Sequence, residues 1–157
     1  MLQSSSQEHA VVLKEWPQPE VVAETHIQAN EHKLLVRYNT AHNKIAVIRF
    51  PLCCYLMFGA PNDEALGGHA LSGRGLEFYS VHEVKNSSLI QMLEQRNAVH
   101  LQHNRQGFLK DKKHYVFTFQ DSTLDCVVIE SEWFKPTISV VDSEDEVKCV
   151  WRLGDAS

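Results

Sequence analysis

The side chains best suited to chemistry are concentrated in a glycine-rich stretch between residues 58 and 88. His69 and His82 can act as acid and base near neutral pH, where an imidazole ordinarily titrates. A carboxylate from Glu77, or from the more distant Asp121, can orient either ring by hydrogen bonding. These four are the candidate catalytic residues, and they predict acid–base chemistry of the kind used by a hydrolase or an isomerase.

A second set of residues in the same stretch is suited to holding a small ligand. Arg74 lies between two glycines, so its guanidinium can approach a carboxylate or phosphate and bind it through two parallel hydrogen bonds. A salt bridge to a neighbouring acidic side chain, which would only shape the loop, is the alternative. The candidate ligand-binding residues are Asn62, His69, Arg74, Tyr79 and His82.

His82 also has a purely structural interpretation. Its face of the predicted strand is otherwise apolar, and a buried imidazole is stable when each ring nitrogen has a hydrogen-bond partner. Alternatively, His82 could join His69 and a carboxylate to hold Zn²⁺ with one open position for water. The sequence contains neither H-E-x-x-H nor paired C-x-x-C motifs. We therefore predict no metal site, and the identity of any cofactor stays open.

The overall composition narrows the class of protein. A chain of 157 residues with 43% hydrophobic and 22% charged residues fits one globular domain. Its formal net charge of -5 predicts no nucleic-acid partner, because such partners need clustered Lys and Arg. The sequence shows no apolar run of roughly 20 residues, which a membrane helix needs, and no signal-peptide pattern. Its four cysteines show no C-x-x-C spacing, so we predict a soluble cytoplasmic protein with reduced thiols and no membrane partner.

The periodicity of apolar residues predicts an α+β fold, built mainly on antiparallel β-sheet as a partial barrel or sandwich with one or two short helices. The predicted organisation is an N-terminal arm (1–20), a β-rich core domain (21–134) and a C-terminal hairpin extension of the same domain (135–157). The predicted strands cover 21–28, 33–38, 45–50, 52–58, 76–84, 114–120, 124–130, 137–141 and 146–153. Turn-forming residues predict that the first four strands are joined as hairpins in an antiparallel meander, and that a tight turn at 121–123 joins another hairpin. A helix is expected after a cap at Asn86 or Ser87, with Glu94 on its exposed side, followed by a polar connection over 100–113.

Three functions are compatible with these elements. The leading hypothesis is a small-ligand-binding protein whose pocket is formed by the 59–75 loop and the 121–123 turn. The second is a hydrolase or isomerase that uses histidine and carboxylate groups in the same pocket, with or without a metal. The third is a protein-interaction module or homodimer that uses Trp133, Phe134 and Trp151, around the C-terminal hairpin, as an aromatic contact surface.

Overall fold

The computed structural model describes residues 7–22 and 24–154, which form two antiparallel β-sheets with short helices. The elements are β1 (His9–Val12), β2 (His26–Ala29), β3 (Leu34–Thr40), β4 (Lys44–Phe50), β5 (Cys53–Gly59), a 3₁₀ helix (Asp63–Gly68), β6 (Val81–Lys85), α1 (Ser88–Asn97), α2 (Arg105–Lys110), β7 (Lys112–Thr118), β8 (Thr123–Ile129), β9 (Thr137–Val141) and α3 (Glu144–Val150). This architecture confirms the predicted α+β class with antiparallel sheets. Among the described residues, no helix is long and apolar enough to span a bilayer.

The strands are divided between a five-stranded sheet, in the order β1-β6-β7-β8-β5, and a four-stranded sheet, in the order β2-β3-β4-β9. Turn-forming residues produce the predicted β2–β3, β3–β4 and β7–β8 hairpins. The predicted meander ends after β4, because Pro51 lacks a backbone donor and the chain then crosses to the other sheet. There β5 pairs with β8.

The main core is aromatic and lies between the two sheets. Tyr38 of β3, Phe50 of β4 and Phe117 of β7 are fully buried, and the ring centroids of Tyr38 and Phe117 lie 5.9 Å apart. Trp16 packs from the N-terminal segment, with its ring centroid 5.2 Å from that of Tyr115. Burial of each large apolar side chain contributes about 1.5–3 kcal/mol, so this cluster is a major source of stability.

The described part of the predicted N-terminal arm is paired with the five-stranded sheet and packed on the core. Strand β1 pairs antiparallel with β6, with Ala10 opposite Val84, and Trp16 packs against the core. Residues 1–6 lie outside the described part of the chain. The strand predicted over 21–28 begins only at His26, and Ala23 is likewise not described.

The predicted C-terminal hairpin is wrong, because its second strand is the helix α3. Ser143 caps this helix by accepting a hydrogen bond from the Glu146 amide at 3.3 Å. The acidic residues of the first turn complement the positive end of the helix dipole. Val147 packs on Ile45 and Val47 of β4, so α3 covers the outer face of the four-stranded sheet.

Three local predictions between residues 76 and 113 also need correction. Strand β6 starts at Val81 rather than at residue 76, since the chain turns through Gly75 (φ 95°) and Tyr79 (φ 49°). The predicted polar connection contains α2. Helix α1 starts after Ser87 as expected, but Glu94 is buried and its carboxylate lies 2.6 Å from His103 Nε2.

Gly73 and Gly75 allow a direct test of how β1 is held. Both have positive φ, but a Cβ at Gly75 would lie 2.0 Å from the Ala10 carbonyl oxygen, whereas a Cβ at Gly73 would have no neighbour within 4 Å. We expect Gly73→Ala to lower the free energy of unfolding by about 1 kcal/mol from backbone strain. Gly75→Ala should lower it by roughly 2–4 kcal/mol, because strain and overlap add. Denaturant unfolding measures both values, and equal losses would contradict this contact.

Candidate functional site

The 59–75 loop is anchored to the β7–β8 hairpin by two hydrogen bonds. The Thr123 hydroxyl donates to the Pro61 carbonyl at 2.8 Å, and the Asp63 amide donates to the Gln120 carbonyl at 2.8 Å. Asn62 caps the 3₁₀ helix by accepting from the Ala65 amide at 3.1 Å. These contacts carry the end of the loop, and His69 with it, onto the outer face of the five-stranded sheet.

On that face, one carboxylate is held between two imidazoles. Asp125 Oδ2 lies 3.1 Å from His69 Nε2, and Asp125 Oδ1 lies 2.8 Å from His114 Nε2. Asp125 belongs to β8 and His114 to β7, and strand alternation places both opposite the aromatic core. Loop and sheet therefore meet at a cluster formed by His69, Asp125 and His114, which we call the His–Asp–His cluster.

Hydrogen bonding determines where the protons lie in this cluster. His69 Nδ1 accepts from the Leu71 amide at 3.0 Å, so the ring proton is on Nε2 and is donated to Asp125. His114 Nδ1 lies 2.8 Å from Ser87 Oγ, which can rotate its hydroxyl proton toward the ring. Both imidazoles thus donate to the carboxylate from Nε2.

The carboxylate is ionised in spite of its burial. Burial alone would raise the pKa of Asp125, but the hydrogen bonds from His114 and His69 outweigh that effect and lower the pKa from 3.8 to about 2. At neutral pH, Asp125 is therefore a fixed negative charge, and a buried charge of this kind needs partners that compensate for lost hydration.

The cluster forms part of the wall of a cavity of about 340 Å³ between the loop, β5 and the start of α1. Its polar side comes from His69, His114 and Asp125, and its apolar side includes Met57, Leu71 and Leu89. The remaining lining residues are Glu8, Tyr55, Pro61, Gly68, Ala70 and Ser88. Most of this wall comes from well-buried or regularly folded segments, which favours a preformed site.

Glu8 lies at the end of the cavity where α1 begins, and it is hydrogen-bonded to the first residue of that helix. Its carboxylate accepts from the Ser88 amide at 2.7 Å and from the Ser88 hydroxyl at 3.0 Å. A negative charge is stabilised at this position by the unpaired amides and dipole of the helix start. The cavity is therefore bordered by a second carboxylate besides Asp125.

Of the predicted site residues, His69 lines this cavity and His82 does not. His82 is 0% exposed, its Nε2 accepts from the Glu77 amide at 2.9 Å, and its Nδ1 donates to the Val116 carbonyl at 3.0 Å. Burial lowers the pKa of His82 and keeps the ring neutral. These contacts match the structural interpretation of His82 as a core histidine with both nitrogens bonded.

The other predicted residues lie away from the cavity wall. Asp121, Glu77 and Arg74 are exposed. Asn62 acts as a helix cap, and the Tyr79 hydroxyl donates to Asp63 Oδ2 at 2.6 Å, which raises the pKa of Tyr79. The 121–123 turn therefore supports the loop but contributes no side chain to the cavity.

Sequence reasoning missed Asp125 and His114, the two strand residues of the cluster. A signal was present for Asp125, because it interrupts the apolar run from Leu124 to Ile129 in a strand buried on both faces. An acidic residue is almost never fully buried without a partner. His114 was recognised as part of an amphipathic strand but not as that partner.

Among the described residues, no group of three or more His, Cys, Asp or Glu side chains is arranged to hold a metal ion. The chain matches no family model, and it has no significant match among curated proteins or solved structures.

The depressed pKa of Asp125 predicts a specific dependence of stability on pH. Since the folded-state pKa (about 2) lies below the ordinary value of 3.8, ionised Asp125 stabilises the fold above about pH 4, and this contribution is lost as pH falls toward 2. Asp125→Asn should therefore destabilise the protein most near neutral pH. The difference in unfolding free energy from wild type should shrink by about 2 kcal/mol between about pH 5 and pH 2.

Asp121→Asn is the matched control, because Asp121 is an exposed turn residue. Its difference from wild type should stay small and change little over the same pH range. Any titration of His82 is common to all three proteins and cancels in these differences. A pH-independent effect of Asp125→Asn, measured by urea unfolding, would contradict the assignment of Asp125 as a buried anion.

Proposed function

We propose that this protein binds a small organic molecule with an apolar body and a cationic group that carries N–H donors, such as an ammonium or amidinium. The observation that carries this proposal is the ionised carboxylate of Asp125 on the wall of an otherwise largely apolar cavity. A carboxylate has about four lone-pair positions, and the two imidazoles occupy two of them. The remaining positions suit donors on a ligand.

The charge distribution around the cavity supports a cation over an anion. His69 is neutral in the geometry described, because its Nδ1 must accept the Leu71 amide. Asp125 and Glu8 are both acidic, and within the described part of the chain no Lys or Arg lines the cavity. A charge-assisted hydrogen bond to a cation in such surroundings contributes about 1.5–3 kcal/mol.

The apolar wall supports a ligand with a hydrophobic body. Met57, Leu71 and Leu89 face the same space as the carboxylate, and Met side chains adapt to irregular ligand shapes. A volume of about 340 Å³ lies at the lower end of the range for small-molecule sites, so a ligand of one ring and a short polar arm is the expected size.

The geometry gives less support to acid–base catalysis. A carboxylate with a pKa of about 2 is a weak base at neutral pH. Ser87, His114 and Asp125 are connected in the order of a catalytic triad, but the buried Ser87 hydroxyl also caps α1 by accepting from the Ile90 amide at 3.1 Å. We therefore assign this chain of hydrogen bonds to positioning Asp125.

A cytoplasmic location forms part of the same proposal. The four cysteines, Cys53, Cys54, Cys126 and Cys149, are all free thiols, although only Cys126 is buried from oxidants in solution. Free thiols of this number are typical of a reducing compartment.

Benzamidine and benzylamine, with benzyl alcohol and benzoate as uncharged and anionic counterparts, test the proposal. We expect the two cations to raise the melting temperature of the wild-type protein more than either counterpart. Calorimetric titration should show binding of the cations at least about tenfold weaker in Asp125→Asn, and unchanged in Asp121→Asn.

A second pair of variants distinguishes the loss of a ligand contact from a folding defect in Asp125→Asn. Leu89→Trp fills the cavity and should abolish cation binding, whereas Leu93→Trp, one turn later on α1 and outside this cavity, should leave it intact. The proposal fails if the four compounds bind equally, or if Leu89→Trp binds the cations as the wild type does.

A further inference from the structure

The β5 strand forms one edge of the five-stranded sheet, and its outer side has no strand partner among residues 7–22 and 24–154. An unpaired edge presents a row of backbone N–H and C=O groups to any chain that can pair with it. Proteins usually protect such edges with Lys, Pro or short strands. In contrast, β5 is seven residues long, and its sequence CCYLMFG contains no charged residue and no proline.

Both faces of β5 are apolar, as in an interior strand. Leu56 and Phe58 lie opposite the core residues Cys126 and Leu124, yet they are 37% and 41% exposed. Met57, on the other face, is 55% exposed. Three consecutive large apolar side chains therefore remain partly open to solvent on one edge strand, which is a composition that favours an additional neighbouring strand.

The opposite edge of the same sheet, formed by β1, is short and is covered by another part of the chain. There β1 is only four residues long, and on its outer side the Ala10 amide donates to the Arg74 carbonyl at 2.7 Å. The close approach depends on Gly75, whose missing side chain leaves room for Ala10. The chain thus covers the β1 edge with its own loop. On the β5 edge the Cys53 amide, at the start of the strand, donates to the His32 carbonyl at 2.6 Å, and the rest of that edge has no strand beside it among the described residues.

We propose that the β5 edge pairs with β5 of a second copy of this chain, antiparallel and about a twofold axis near Leu56. In this arrangement Leu56 lies beside its own counterpart, and Met57 lies beside Tyr55 of the other copy. Two five-stranded sheets become one continuous ten-stranded sheet. The backbone groups of both edges are then hydrogen-bonded, and the half-exposed side chains of both copies are covered.

The absence of charge on β5 suits pairing with a second copy. Twofold pairing brings a residue near the axis close to its own counterpart, so any charged residue there would face a like charge. The chain carries a formal net charge of -5, and two copies repel one another at long range. An uncharged strand is the part of the surface on which two such copies can meet without adding local repulsion.

The proposed pairing also affects the ligand cavity, although it does not depend on the ligand proposal. Tyr55 and Met57 of β5 line the cavity, and the partner strand would fix their positions. A standard protein interface buries about 800 Å² of surface on each partner, and a pair of seven-residue strands buries less. We therefore expect a dimer that dissociates on dilution.

Sedimentation velocity over about a hundredfold range of concentration tests this proposal. The wild-type chain should shift from one to two chain masses, and amide hydrogen exchange should slow at outward-facing β5 amides as concentration rises. Leu56→Lys and Phe58→Lys should weaken association at least about tenfold, because each places like charges across or close to the axis.

Matched controls identify the surface involved. Val99→Lys lies at an 89% exposed site outside β5 and should dimerise as the wild type does. The same result is expected for Ile138→Lys on the β9 edge and for Trp133→Ala in the predicted aromatic surface. A chain that stays monomeric throughout overturns the proposal. Association that Ile138→Lys or Trp133→Ala disrupts, but Leu56→Lys leaves intact, also overturns it. Protection of the β5 amides that does not depend on concentration would indicate another occupant and contradicts the proposal as well.

Discussion

The buried carboxylate of Asp125 is the constraint on which the cavity depends. Removing a carboxylate from water costs several kcal/mol unless hydrogen bonds replace its hydration, and here two imidazoles from separate parts of the chain supply them. His69 is in turn fixed by the Leu71 amide, and His114 contacts Ser87, the cap of α1. The hydrogen bonds around the Asp125 carboxylate therefore connect the 59–75 loop, the β7–β8 hairpin and the start of α1, which form three walls of the cavity.

The cavity exists because the outer face of the five-stranded sheet is covered by separate pieces. The inner face packs against the four-stranded sheet, whereas the outer face is covered by α1 and by the 59–75 loop, which packs there through Leu71. Helices and loops of different direction leave gaps where they meet, and the gap here falls over β5, β7 and β8. A polar cluster fits such a gap, since it would be too costly in the uniformly apolar layer between the sheets.

The sequence predicted those features that depend on neighbouring residues. The hairpin turn after β3 follows from Asn39 to Asn43, and the start of α1 follows from Ser87, because both rest on local hydrogen bonding. The acidic run from 142 to 145 suits either a turn or a helix start, and α3 is selected by packing of Val147 on a distant strand. Local pattern alone could not decide between these two structures.

The site was only half predictable for a related reason. His69 was recognised, but its partner Asp125 meets His114 diagonally across β7 and β8, where His114 lies opposite Val127 and Asp125 opposite Val116. This register cannot be read from the sequence of either strand. His82, the other candidate histidine, is distinguished from His69 by backbone partners on both ring nitrogens.

The two proposed surfaces share β5, and strand geometry explains why. Alternate residues of a strand point to opposite faces, so Tyr55 and Met57 line the cavity while Leu56 and Phe58 lie on the opposite face of the sheet, where they are partly exposed. Edge strands open locally at lower free energy than central strands, because one row of backbone groups has no partner. Pairing at the edge would therefore reduce motion of the cavity wall, and a ligand held by that wall would in turn favour the paired state. Such coupling needs no contact between ligand and partner, since both act on the same seven residues.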